Sequence, residues 1–219
     1  MKYLLGASII VSAIMIAVVV IYIGILGNPL DAAYLRTFKR CFKCRFEFSN
    51  ADFRDANLAG ADIRELDLYG RDFSRANLQQ ANLESASSSA GSPAKFGGAN
   101  LSRANMSSVY FPNGNFVNAQ LEKTNLQNAD LSGANFRGAS LKSANLTGAR
   151  LIGTKLLNTN FQGANLTNAK MCFLPFLPDL KGVIIKGAMI TGEKFTLAQK
   201  QALKARGAIV SGGSENCYR

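Results

Sequence analysis

Residues 129–148 read Ala129-Asp130-Leu131-Ser132-Gly133, Ala134-Asn135-Phe136-Arg137-Gly138, Ala139-Ser140-Leu141-Lys142-Ser143, Ala144-Asn145-Leu146-Thr147-Gly148. The period is five, and each unit holds a small residue, a polar one, a large apolar centre, then two residues rich in Gly, Ser and Asn. Neither regular element tolerates that period. On an α-helix five residues advance ~140° net, which smears the centres around the cylinder. On a straight strand an odd period turns every second centre to the opposite face. A turn must therefore recur in each unit. The position two after the centre supplies it, with Gly133, Gly138, Gly148, Gly153 and Gly163 joined by Asn113, Asn118 and Asn168, residue types that tolerate φ > 0. A chain turning alike at every unit coils, with centres and small residues inside.

The aromatics set the size of the coil. Phe96, Phe116, Phe136 and Phe176 fall on one series of period twenty with Leu156 between, and Phe53 and Phe73 are spaced alike upstream. Four units of five make one turn. Stacked turns then place these rings in one internal column near the ~4.8 Å strand spacing.

With these units the chain resembles the pentapeptide-repeat proteins, whose A(D/N)LXX units run here through most of residues 46–195. The resemblance implies an all-β solenoid, a right-handed quadrilateral β-helix, and identifies a fold rather than an activity. The expected organisation is an anchor at 1–27, a basic juxtamembrane linker at 28–45, the β-helix at 46–195 with a loop near 85–95 and an irregularity near 172–180, and a C-terminal capping helix and tail at 196–219.

The anchor is read from the uncharged apolar run Tyr3 to Leu26, long enough for a transmembrane helix of ~20 residues. A cleaved signal peptide is the alternative, but the run exceeds the usual ~7–15 apolar residues. Lys2 precedes the span, whereas Arg36, Lys39, Arg40, Lys43 and Arg45 follow it against Asp31. The positive-inside rule places the repeat domain in the cytoplasm, on a single-pass protein of the cytoplasmic membrane. A periplasmic or thylakoid-lumenal domain is the alternative. Small residues at Ser8 with Ser12 and Ala13 with Ala17 offer one route to a homodimer, and the C-terminal helix offers another.

Cys41 and Cys44 form a CxxC before the first coil. A structural zinc site needs four ligands, and this chain has no His. The resemblance favours buried cysteines in small positions, with redox and intermolecular-metal roles as alternatives. Inside the repeats, Leu66 and Arg71 occupy small positions, and Arg71 is expected at a bulge or a coil edge because a buried guanidinium needs a partner. At the far end, Thr196 and Gln199 form a capping box for a helix that Gly207 terminates.

Catalysis is not expected. With no His there is no imidazole base, and the polar residues are scattered by the repeat formula on a convex surface. No cofactor is expected. Imitation of DNA, by which some members of the family protect a type II topoisomerase, requires an acidic surface. The chain is +11 overall, and its bases dominate from residue 96 onward. Nucleic acid itself is an improbable partner for so sparse a set of cations. What remains is a membrane-anchored scaffold for an unidentified protein partner, contacted through the basic half at Arg103, Lys123, Arg150 and Lys170.

Overall fold

The computed structural model describes residues 52–173, 184, 186, 188–192 and 196–211. The anchor, Cys41, Cys44, Phe176 and nearly all of the irregularity near 172–180 lie outside them.

Most corners are built the same way. The centre's carbonyl accepts the N–H three residues on, as in Ala56 to Phe53 at 3.1 Å and Ala61 to Leu58 at 3.0 Å. Only the residue two after the centre has positive φ, 57° at Asp55 and 69° at Gly60, which is the type II turn. The corner demands this conformation of any residue, so Arg75, Arg103 and Lys123 also adopt φ of 59°, 61° and 59°. The Asp or Asn before the centre explains its own presence: Asn145 Oδ1 accepts the Thr147 N–H at 3.2 Å, an Asx-turn that braces the corner.

Between corners the chain forms short parallel rungs. Leu58 N–H donates to the Asn77 carbonyl at 2.7 Å, and Asn77 N–H donates back to Ala56 at 2.9 Å. Rungs open at Phe53, Phe73, Phe96, Phe116, Phe136 and Leu156, so the described coils form a four-sided parallel β-helix. Its interior is filled by centres and alanines. Phe53, Phe73, Phe96, Phe116 and Phe136 stack at 4.9, 5.2, 5.1 and 4.8 Å, nearly parallel. Thr124 and Thr159, in small positions, turn their hydroxyls to the Leu101 and Phe136 carbonyls at 2.8 and 2.7 Å.

One expectation gains a boundary and two need correction. The loop near 85–95 is one unit expanded by three residues, as counting between Phe73 and Phe96 implies: Ala86, Ser88 and Ala94 remain buried. Ser88 N–H donates to Tyr110 at 2.8 Å and Gly70 N–H to Ser92 at 2.8 Å, so only three residues, 89–91, leave the ladder. Ser88 is thus a core centre with its hydroxyl buried and unpartnered.

Arg71 marks neither a bulge nor an edge. Its N–H donates to Leu68 at 3.0 Å and its carbonyl accepts Lys95 N–H at 2.8 Å, so the backbone keeps register while the side chain absorbs the misfit. Its Nε is buried without a hydrogen-bond partner, and burial holds the guanidinium pKa below its usual value.

The C-terminal end is more than a helix and tail. Strands β1 (Arg150–Leu151), β2 (Lys170–Phe173) and β3 (Met189–Gly192) continue the fourth side. Helix α1 (Leu197–Ala205) follows, with the Thr196–Gln199 capping box formed in both directions. The chain then returns as β4 (Ile209–Ser211), parallel to β3 in the sheet order β1-β2-β3-β4. Gly207 makes that return with φ of 81°. Leu203 of α1 and Ala208 are buried, so the helix replaces the other sides of a final coil and the fourth side resumes beyond it.

Candidate interaction surfaces

With the interior filled, chemistry is confined to the outward positions, and the repeat sorts these into columns. Sides one to four are named by the centres Phe116, Leu121, Leu126 and Leu131.

At the proximal end four of the acids are paired with bases. Asp52, Asp62, Asp55 and Asp72 pair with Arg54, Arg64, Arg75 and Lys95 at 2.6, 2.7, 2.7 and 3.9 Å. The Asp55–Arg75 pair joins consecutive coils through two hydrogen bonds. Arg75's hydrogen bond, ahead of its Coulombic attraction, holds the Asp55 carboxyl below its ordinary pKa.

From Asn105 to Thr167 side three is uncharged. Asn105, Asn125 and Asn145 each donate Nδ2 to the Asn one coil below, at 3.2, 3.1 and 3.3 Å, a ladder that starts at Asn82. Ser107, Thr147 and Thr167 close their hydroxyls onto the neighbouring Asn at 2.8, 2.7 and 2.6 Å. The polar groups are consumed within the face.

The four cations expected to meet a partner do not share a surface. Arg103 and Lys123 stand one coil apart at the corner after side two, and with Gln79, Gln80, Ser102 and Glu122 they line an open groove. Ser102 Oγ donates to Glu122 Oε2 at 3.0 Å, which fixes one carboxylate in the lining of the groove. Arg150 and Lys170 are register partners on side four, the opposite side of the rod. Arg150 approaches Asp130 at 3.9 Å and donates Nε to Ser132 Oγ at 3.1 Å.

Beyond Lys170 the same outward column continues with Met189 and Ile209, 43% and 58% exposed. These were missed, although their position was legible: each immediately precedes a centre, Ile190 or Val210. Among the described residues no cluster of His, Cys, Asp and Glu is arranged to hold a metal, and no helix is long and apolar enough to cross a membrane.

A filled, four-sided β-helix with one corner per five residues defines a non-globular repeat class whose working surface is its exterior. The family described as pentapeptide repeats matches in eight copies, over residues 51–87, 94–119, 115–151 and 144–171. The chain belongs to that family. Among solved structures it is similar to a trypsin-treated form of QnrB1, a plasmid-mediated fluoroquinolone resistance protein, at 23% identity and a TM-score of 0.54 over 76% of this chain and 81% of that one. HetL, a pentapeptide repeat protein involved in heterocyst differentiation regulation in the cyanobacterium Nostoc sp. strain PCC 7120, is 24% identical over 74% of this chain and 73% of its own, with a TM-score of 0.33. A pentapeptide repeat protein of the Arabidopsis thaliana thylakoid lumen is 28% identical over 70% and 90%, with a TM-score of 0.42. No curated protein matches significantly.

Proposed function

We propose that this chain is a non-enzymatic scaffold, anchored in the cytoplasmic membrane through residues 1–27 with its rod in the cytoplasm, and that it binds a protein partner along the rod. One observation carries the reading: the groove at Arg103 and Lys123, where two cations are held in rare left-handed backbone conformations on consecutive rungs. Rigid rungs present charged side chains at fixed intervals with little backbone ordering left to lose on binding. The interior is filled and the chain lacks His, which argues against catalysis.

Protection of a topoisomerase by DNA imitation has less support. The likeness to QnrB1 is one of fold, and here Asp52, Asp55 and Asp62 are engaged in ion pairs with Arg while the net charge is +11. A redox or metal role for Cys41 and Cys44 falls outside the described residues.

A photocrosslinking residue at exposed Gln79, on the groove, tests the scaffold reading in cells. The expected result is a discrete protein adduct that disappears in the Arg103→Glu, Lys123→Glu double variant and is not formed from Gln127 on the neutral side. Adducts from both positions alike, or an adduct indifferent to the charge reversal, would overturn it.

A further inference from the structure

The distal end of side four carries an arrangement that the protein-binding groove does not use. Arg150, Lys170, Met189 and Ile209 form one outward column on consecutive parallel strands, two cations followed by two exposed aliphatics. Ile184, on the adjoining side and paired with Asn165, is 54% exposed. Lys186 stands at the corner between these sides, and a Cβ at Gly207 would lie 3.6 Å from its Cα and Cγ, so the corner is held against the turn that feeds β4.

Charge accumulates at this end. Residues 131–219 contain 12 Lys and Arg against Asp179, Glu193 and Glu215, so 12 − 3 = 9 of the net +11 falls there. Those three acids lie outside the described residues, and Asp130 is the last acid within them. On α1, Lys200 and Lys204 add to the same end, and Leu197 is 73% exposed.

We infer that this patch docks on the surface of an anionic lipid bilayer. Adjacent cations and aliphatics are what such a surface recognises: each cation gains from the surface potential, and the aliphatics enter the headgroup boundary. The composition points away from a protein partner, because the cores of protein interfaces are enriched in aromatics, Met and Arg and depleted in Lys, and against one Met and one Arg this patch sets four Lys and no aromatic. This patch is aliphatic and mostly lysine. Lysine stems can lie along the apolar boundary with the ammonium among phosphates. Docked by side four, the rod lies flat and turns side two, with the Arg103–Lys123 groove, toward the aqueous phase. Arg150 and Lys170 then serve the bilayer rather than the protein partner.

The contact does not depend on residues 1–27, and the test separates the two. The chain has no Trp, so Ile209→Trp in the full chain is a single reporter. Flotation on pure phosphatidylcholine vesicles reads the anchor. Quenching of Trp at position 209 by bromine-labelled lipid, in vesicles that also contain phosphatidylglycerol, reads the patch.

The expected result is a blue shift and quenching in anionic vesicles, absent in pure phosphatidylcholine and lost on Arg150→Gln with Lys170→Gln. Leu157→Trp, an exposed control on side one, should be neither shifted nor quenched, and Met189→Trp should repeat the result at 209 if Ile209→Trp fails to fold. Equal quenching at 157 and 209, no dependence on anionic lipid, or a blue shift that follows protein concentration in phosphatidylcholine vesicles would overturn the inference, the last in favour of a second copy.

Discussion

Ile190 and Val210 are register partners on adjacent parallel strands, although α1 lies between them in the chain. Their separation, 210 − 190 = 20 residues, is one coil. The capping segment is therefore a coil in which a helix stands in for the other sides, and β4 covers the edge that β3 would otherwise leave open.

Gly207 holds that return at φ of 81°. Gly207→Val should cost about 1–2 kcal/mol from the left-handed backbone alone. In a solenoid the loss stays local. Amide exchange at Ile209, whose N–H donates to Ala188 at 2.9 Å, should accelerate, while Phe116 N–H keeps its protection. Equal acceleration at both would contradict the local account.

Gly60 and Gly133 share a corner conformation, φ of 69° and 72°, but differ in surroundings. A Cβ at Gly60 meets nothing within 4 Å, whereas at Gly133 it collides with Asn113 Oδ1. Gly60→Ala should cost about 1 kcal/mol, and Gly133→Ala somewhat more, because the Asn113 amide must swing aside and give up its hydrogen bond to the Ala90 carbonyl. Urea unfolding of the two variants checks the order.

Ser88 keeps a polar atom buried without a partner in a column otherwise filled by Leu68, Phe111 and Leu131. Ser88→Ala removes that liability and should stabilise by about 1 kcal/mol. A loss of stability would mean that the hydroxyl has found a partner in solution.

The Asp55–Arg75 pair predicts a pH dependence. The folded-state pKa of Asp55 is depressed, first by the Arg75 hydrogen bond, so its contribution is present above the ordinary carboxylate value of ~4. It is lost as pH falls through the lowered value. Asp55 is solvent-exposed, so the effect is small. The difference in thermal midpoint between the wild type and Asp55→Asn should be positive near neutrality and close in acid. A gap that stays constant on acidification would mean the ion pair is not its source.

Much of this was legible before the structure. The five-residue period locates the centres, the corner positions and the Phe column, and counting residues predicts that Phe73 and Phe96 adjoin despite the insertion, which they do at 5.2 Å. The capping box was legible because it is local. Ser88 and Arg71 were harder: a Ser reads as loop and an Arg in a small position as a bulge or coil edge, yet the hydrogen-bonded rungs on either side keep both in register. Strand β4 was hidden by the helix before it, although Ala208-Ile209-Val210-Ser211-Gly212 is itself a unit of the repeat. The split of the four cations between opposite sides follows from their different places within the twenty-residue coil, which charge counting ignores.

The most direct test of a membrane-anchored cytoplasmic scaffold is topology. In a variant retaining Cys217 as its one cysteine, expressed in bacterial spheroplasts, an impermeant thiol reagent is applied before and after lysis. The account predicts a chain that stays in the membrane fraction after an alkaline wash and is labelled only after lysis. Labelling of intact spheroplasts, or a chain released by the wash, would contradict it.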